Sequence, residues 1–314
     1  MKKYLVLFTY LFTILLFQNC KESIPGKVKI VSMENLTHNS VVVYSEITDI
    51  QNGVGFVYQG ICLDKSVMPV VGKKSFAGIN YKDSQESCQT GVSGLEPDSK
   101  YIVRAYFEID EGIVYSDTMV IKTLPVEFIT DSRDGKKYPV KTYGNLVWLV
   151  QNLDYQTPGC LVFENNPGKY PSEFGKLYSY QEAVNACPPG WRLPSDEDWK
   201  ILEENIGISQ DELDKTALRG SPAGGMMKEP GMRLWESESA LHSNNKSGFS
   251  VVPSGWYRTE KKEFTYPKTC AGFWTVSEDS KSAFLRFFYV NSDGVSRTGM
   301  ELSSLQLSVR CVRN

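Results

Sequence analysis

Seven cysteines and two histidines have the widest chemical range in this sequence, and their spacing limits what they can do. Zinc binding needs ligands in close pairs. No C-x-x-C spacing occurs, and neither His38 nor His242 has a cysteine near it in the chain. A catalytic arrangement around a shared histidine is also out of reach, because the two histidines fall in different halves. No P-loop, G-x-G-x-x-G or H-E-x-x-H pattern is present. The carboxylate pairs Glu203–Glu204 and Asp211–Glu212 are expected on exposed helix or loop faces rather than in acid–base work. No catalytic residue, metal or cofactor is therefore expected. Disulfide formation is what remains for Cys62, Cys88, Cys160, Cys187, Cys270 and Cys311, an even set. Six cysteines allow fifteen pairings, and if the two halves fold separately Cys62 pairs with Cys88. Aromatic residues supply the other usable chemistry. Trp235, Trp256, Tyr257 and Arg258 lie in or beside a long irregular stretch, where an exposed ring can stack on a sugar or anchor a protein. They are the candidate ligand-binding residues. Asn291-Ser292-Asp293-Gly294 reads as a hairpin turn before it reads as a calcium ligand set.

The chain opens with Lys2 and Lys3 and an uncharged run from Tyr4 to Phe17, which is short for a membrane span and has the length of a signal-peptide core. Cys20 follows directly. This arrangement resembles a bacterial lipoprotein, cut after residue 19 and diacylated on Cys20, with residues 20–26 as a tether. Asn19 departs from the usual small residue before the cysteine, as lipoproteins of the Bacteroidetes allow. Lys21-Glu22 is similar to the tag that sends such lipoproteins to the outer face in that phylum. The resemblance implies export, a lipid anchor in the outer membrane, and cell-surface exposure. Thirty-four basic against 37 acidic residues give a formal charge of −3, with no basic run. Nucleic acid is excluded as a partner on that balance.

Residues 27–124 read as all-β. Val41-Val42-Val43-Tyr44, Ile61-Cys62-Leu63, Tyr101 to Phe107 and Met119-Val120-Ile121 are short apolar runs separated by Gly and Asn, which argues for a sandwich. Gly94-Leu95-Glu96-Pro97-Asp98-Ser99-Lys100-Tyr101 resembles the tyrosine corner of a fibronectin type III domain, in which the Tyr hydroxyl bonds back to the backbone a few residues upstream. Such domains serve as stalks. His38 reads as a solvated turn residue. Asp117-Thr118-Met119 resembles an O-glycosylation signal of the Bacteroidetes, with Thr118 as acceptor.

Pro125 marks a short boundary before residues 126–314. Asp134-Gly135 predicts a hairpin turn. Two short helices follow, over Tyr180–Ala186 and Asp196–Ile206. Ser179 with Glu182, and Ser195 with Asp198, are capping boxes. Pro188 and Pro189 forbid continuation of the first helix. Trp191, Leu193 and Trp199 are expected to bury together. Residues 208–247 are rich in Gly and Met and predict a long loop, and strands resume from Gly248.

Seven motifs then occur in one order: Asp134-Gly135-x-x-Tyr138; Trp148 with Asn152-Leu153; Gly175-x-Leu177-Tyr178; Ala186-Cys187-Pro188-x-Gly190-Trp191-x-Leu193-Pro194-Ser195-Asp196-x-x-Trp199; Ser247-Gly248-Phe249-Ser250-x-x-Pro253; Phe273-Trp274-x-x-Ser277; and Val309-Arg310-Cys311-Val312. Together they resemble the Fibrobacter succinogenes major paralogous (FISUMP) domain. The resemblance implies an α+β fold similar to C-type lectins and to formylglycine-generating enzymes. It implies that Cys187 pairs with Cys311, which leaves Cys160 for Cys270. With all six cysteines in bridges, no thiol remains for the enzyme chemistry. The calcium-lectin triplets Glu-Pro-Asn, Gln-Pro-Asp and Trp-Asn-Asp are absent. The expected function is non-catalytic binding of a glycan or a surface protein by the C-terminal head. A structural part of a fimbrial assembly is the alternative, and a formylglycine-generating-type enzyme the third reading.

Overall fold

The computed structural model describes residues 26–314, except 51–57, 73, 82–83, 111, 167, 169 and 237–240. The leader, Cys20 and the tether up to residue 25 lie outside the described residues.

The first half alternates along its strands as its sequence demands. Its elements are β1 (Lys27–Glu34), β2 (Ser40–Thr48), β3 (Tyr58–Asp64), β4 (Ser75–Ala77), β5 (Ile79–Tyr81), β6 (Ser84–Ser93), β7 (Lys100–Ile109), β8 (Gly112–Tyr115) and β9 (Met119–Lys122). One sheet has the order β1-β2-β6-β5 and the other β4-β3-β7-β8, with β9 added to β7. Val41, Val43 and Val92 from the first meet Ile61, Leu63, Val103, Ala105 and Phe107 from the second in one apolar core. Each is every second residue of its strand, as a period of two requires. The expected all-β architecture is present. Tyr101 Oη accepts from the Glu96 N–H at 2.9 Å, so the corner bond forms.

The bridge expected between Cys62 and Cys88 is not formed; both are free and buried. Strand register explains it. Ile61 and Leu63 enter the core, so Cys62 between them points to the other face of its sheet, next to Arg104 in register. Cys88 belongs to the other sheet, opposite Ser45, with its thiol 3.5 Å from Thr90 Oγ1.

The second half continues with β10 (Glu127–Thr130), β11 (Lys137–Tyr143), β12 (Leu146–Leu149), α1 (Tyr180–Ala186), α2 (Asp196–Ile206), α3 (Gln210–Leu213), β13 (Ala217–Arg219), α4 (Ala223–Met227), β14 (Trp256–Arg258), β15 (Glu263–Thr265), β16 (Cys270–Phe273), β17 (Ser282–Tyr289), β18 (Val295–Glu301), β19 (Leu305–Gln306) and β20 (Val312–Arg313). Three small antiparallel sheets result: β10-β11-β12-β20, β13-β18-β17-β16 and β15-β14-β19. The α+β expectation for this half is overturned. The chain is 41% strand and only 13% helix, and several small antiparallel sheets carry the second half. The helices stay minor because each start signal is followed by an early stop. Both capping boxes form, but α1 ends after seven residues before Pro188, and α2 ends after eleven at Gly207, whose φ of 113° suits only glycine.

Trp191 and Leu193 pack in one cluster, but Trp199 does not join them. Leu193 joins the cluster around Cys187 and Trp274, whereas Trp199 packs against Trp148 and Phe249 at centroid distances of 5.0 and 5.8 Å. Trp191 stays half-buried, with the Arg313 guanidinium 4.8 Å above its ring. Cys187 and Cys311 do pair and tie the end of α1 to the last strand, across 124 residues. Cys160 and Cys270 remain free. The Cys160 thiol faces its own loop and donates to Thr157 O at 3.3 Å, while Cys270 lies within β16 opposite Tyr289.

Charge is buried beneath α2. Glu203, expected at the surface, is fully buried and accepts from Arg286 Nε at 2.6 Å and Arg219 Nη2 at 2.6 Å. Asp196 accepts from Arg286 Nη1 at 2.8 Å and Arg297 Nη2 at 2.6 Å. These contacts bind α2 to β13, β17 and β18.

The two halves touch through polar bonds. Asn245 Nδ2 donates to Asn39 Oδ1 at 3.2 Å and Ser40 Oγ at 3.1 Å. Arg233 Nε donates to Ser93 Oγ at 3.2 Å. The backbones meet at Gly91 and Gly231, where a Cβ on Gly91 would lie 2.2 Å from Gly231 N. Only glycine permits that approach.

Candidate functional site

Where the halves meet, the surface opens into a cleft of about 210 Å³. The first half supplies His38, Asn39, Leu95 and Pro97 to its lining. The turn Thr37–Ser40 fixes the first two: Thr37 Oγ1 accepts from the Ser40 N–H at 3.1 Å and its backbone N–H donates to Ser40 O at 2.8 Å. The second half supplies Phe128 from β10, Gln151 and Asn152 after β12, and Glu173, Glu229 and Arg233 from loops.

These groups differ in how much of their bonding capacity is used. Arg233 is fully engaged: Nη2 donates to Glu229 Oε1 at 2.7 Å and Nη1 to Glu173 Oε1 at 3.0 Å. Asn152 Oδ1 accepts from Arg310 Nε at 2.8 Å, and its Nδ2 donates to Phe174 O at 3.0 Å. Arg310 itself is fully buried and makes no ion pair among the described residues, held by Phe249 O at 2.8 Å and Ser250 O at 2.7 Å. Burial pushes its guanidinium down to about 9. Glu229 is buried, and burial raises its carboxyl against the pull of Arg233; its Oε2 has no hydrogen-bond partner among the described residues. Three polar groups are open. The His38 ring, the Asn39 Nδ2 and the Gln151 side chain make no hydrogen bond among the described residues, while Phe128 is 51% exposed.

His38 was expected in solvent, but it is only 6% exposed. Burial first, and then the charges of Lys141 and Arg310, lower its pKa from 6.5 to about 4. The ring is therefore neutral in the fold, and protons bind the unfolded chain more readily between those two values. Stability is complete above pH 6.5 and drains as pH falls towards 4, by about 3 kcal/mol from this residue. Urea unfolding at pH 7 and pH 4.5 is expected to show that loss in the wild type and a clearly smaller loss in His38→Gln.

The cleft's hydroxyl, Ser250 Oγ, donates to Asn39 Oδ1 at 3.3 Å and accepts from Asn245 Nδ2 at 2.9 Å. No group of three His, Cys, Asp or Glu side chains suited to a metal occurs among the described residues.

The aromatic residues singled out by sequence are not brought together here. Trp235 is 2% exposed and lies in the core, with its Nε1 donating to Val251 O at 3.3 Å. Trp256, also buried, packs edge-on against Phe287 at 5.2 Å. Irregular backbone around Trp235 suggested exposure, but an irregular chain can still line a core. Tyr257 and Arg258 are half-buried on β14, away from the cleft, beside Phe264 at 4.9 Å and Glu263 at 3.7 Å respectively. Thr118 is exposed. The Asn291–Gly294 segment is the turn between β17 and β18, where Lys228 Nζ donates to Ser292 O at 2.8 Å and Asp293 Oδ1 meets His242 Nδ1 at 2.8 Å. Sequence reasoning missed the cleft residues. The legible signal was Glu229 and Arg233, opposite charges four apart in a stretch of Gly, Met and Pro.

Among curated proteins, none matches this chain. Of solved structures, the sensor domain of the anti-sigma factor RsgI4 of Pseudobacteroides cellulosolvens is similar in a shorter form at 16% identity and a TM-score of 0.26, covering 33% of this chain and 98% of that one. A longer form gives 16% identity and a TM-score of 0.24, over 34% of this chain and 97% of that one. A likeness at that level supports no argument about this chain. The family match is of another order: residues 140–313, more than half the chain, align with the Fibrobacter succinogenes major domain. With the Trp148, Cys187–Trp199 and Cys311 motifs all inside that span, the chain belongs to the Fibrobacter succinogenes major domain family.

Proposed function

We propose that this chain is an exported, lipid-anchored surface protein that binds a glycan or another surface protein without transforming it. One observation carries the reading: a cleft with open polar groups and an exposed ring, in which no nucleophile is paired with a base. The family is extracellular or surface-associated, and the Cys187–Cys311 bridge suits an oxidising compartment. Among the described residues no helix is long and apolar enough to cross a membrane. Anchoring rests on Cys20, and attachment by more than one acyl chain is stable. The first half acts as a fibronectin-like stalk, a role supported by its Tyr101 corner. Thr118, exposed before β9, is available for O-glycosylation.

Palmitate labelling is expected on the wild type and absent from Cys20→Ser. Glycans retained by the purified full chain should be recovered with unchanged mass; a cleaved or modified product would refute the non-catalytic reading. The second reading, a structural part of a surface assembly, has one observation in its favour. Strand β9 borders its sheet with Met119 and Val120 at 45% and 66% exposure, and an apolar edge of that kind can pair with another chain.

A further inference from the structure

We propose that the cleft between the halves seats one neutral sugar ring of an oligosaccharide, so that the stalk and the head form a single composite site. The inference rests on the binding function proposed above and names its ligand and place. Phe128 offers the exposed aromatic face on which the apolar side of a pyranose can stack. His38, Asn39 Nδ2 and Gln151 surround it with hydrogen-bonding groups that have no partner among the described residues, two of them from the stalk. A sugar ring presents that mixture: one apolar face and a rim of hydroxyls. A charged anion is disfavoured, since the cleft's one cation, Arg233, is already paired with two carboxylates, Glu229 and Glu173.

Size argues for a chain of sugars rather than one. The cleft, at about 210 Å³, is below the ~300–1,000 Å³ typical of sites that engulf a whole ligand. A second groove of about 390 Å³ adjoins it and shares Gly94 and Arg233, with Lys74, Ser75 and Ser93 on its walls. Neighbouring sugars extend into that groove, where Lys74 Nζ makes no ion pair among the described residues. A peptide fits less well. Added as a strand, it would find only the edge of the four-residue β10 at Phe128.

The test is titration of the full chain with neutral di- to hexasaccharides of glucose, mannose, xylose and N-acetylglucosamine. At least one series is expected to bind. Phe128→Ala should weaken it by about tenfold and Phe128→Trp should retain it. Gln151→Ala, a half-exposed change that does not threaten folding, should weaken every chain length, whereas Lys74→Ala should weaken only the longer ones. Saccharide binding unaffected by both Phe128→Ala and Gln151→Ala overturns the cleft and leaves the binding function standing. No saccharide bound at all overturns the ligand class. In that case adhesion of the full chain to untreated but not protease-stripped cells identifies a protein partner, and adhesion to neither overturns the binding function too.

Discussion

Arg286→Met is expected to destabilise the protein by about 3–5 kcal/mol, the cost of leaving buried carboxylates without their cation. Arg286 is fully buried and serves two acids at once, Glu203 through Nε at 2.6 Å and Asp196 through Nη1 at 2.8 Å. Methionine fills a similar volume but donates nothing. Glu203 then keeps only Arg219, and Asp196 only Arg297 and, at 3.5 Å, Lys200. Chemical denaturation monitored by tryptophan fluorescence checks this, because Trp199 lies on the same helix with the Arg286 guanidinium 5.9 Å from its ring. Glu203→Gln made in the Arg286→Met background should cost less than when made alone, since the two residues share one network. A loss below 1 kcal/mol, or strict additivity, would show the cluster to be idle. Acid probes the same cluster. Burial works to raise Asp196, but Arg297 and Arg286 outweigh it and hold the carboxyl at about 2, below its usual 3.8. Its contribution is therefore whole above pH 3.8 and is lost as pH falls through 2.

Opening the Cys187–Cys311 bridge is the second large change. Cross-linking residues 124 apart removes much of the unfolded chain's freedom, and a loop of that length is worth about 4–5 kcal/mol in the chain-entropy account. Cys187→Ala with Cys311→Ala should lower the unfolding free energy of the full chain by about 2–5 kcal/mol. Dithiothreitol should do the same to the wild type and nothing further to the double variant. An unreduced digest should join Cys187 to Cys311 and leave Cys62, Cys88, Cys160 and Cys270 free to alkylate. A peptide linking Cys187 to any other cysteine would contradict the fold of the last strand.

Local signals were read correctly where the chemistry is local. Capping boxes at Ser179 and Ser195, the prolines after Cys187 and the Asp134-Gly135 turn act over a few residues, so the sequence alone placed α1, α2 and the first hairpin. Short apolar runs likewise marked β3 and β7. The motif set also identified the family, because residue types in register need no coordinates to be recognised.

The tertiary structure decided everything that depends on which distant surfaces meet. Glu203 was expected on an exposed face of α2 but is buried, and the arrival of Arg219 and Arg286 from β13 and β17 makes that burial tolerable. Nothing near His38 in sequence announced Lys141, Arg310 or Phe128 as its neighbours. The two halves close on each other where glycines 91 and 231 let their backbones meet, and the energy of such a contact belongs to no single segment. Sheet proportions were misjudged for the same reason: a strand as short as β19 is held by pairing with β14 across 47 residues or more, which no local window can sense.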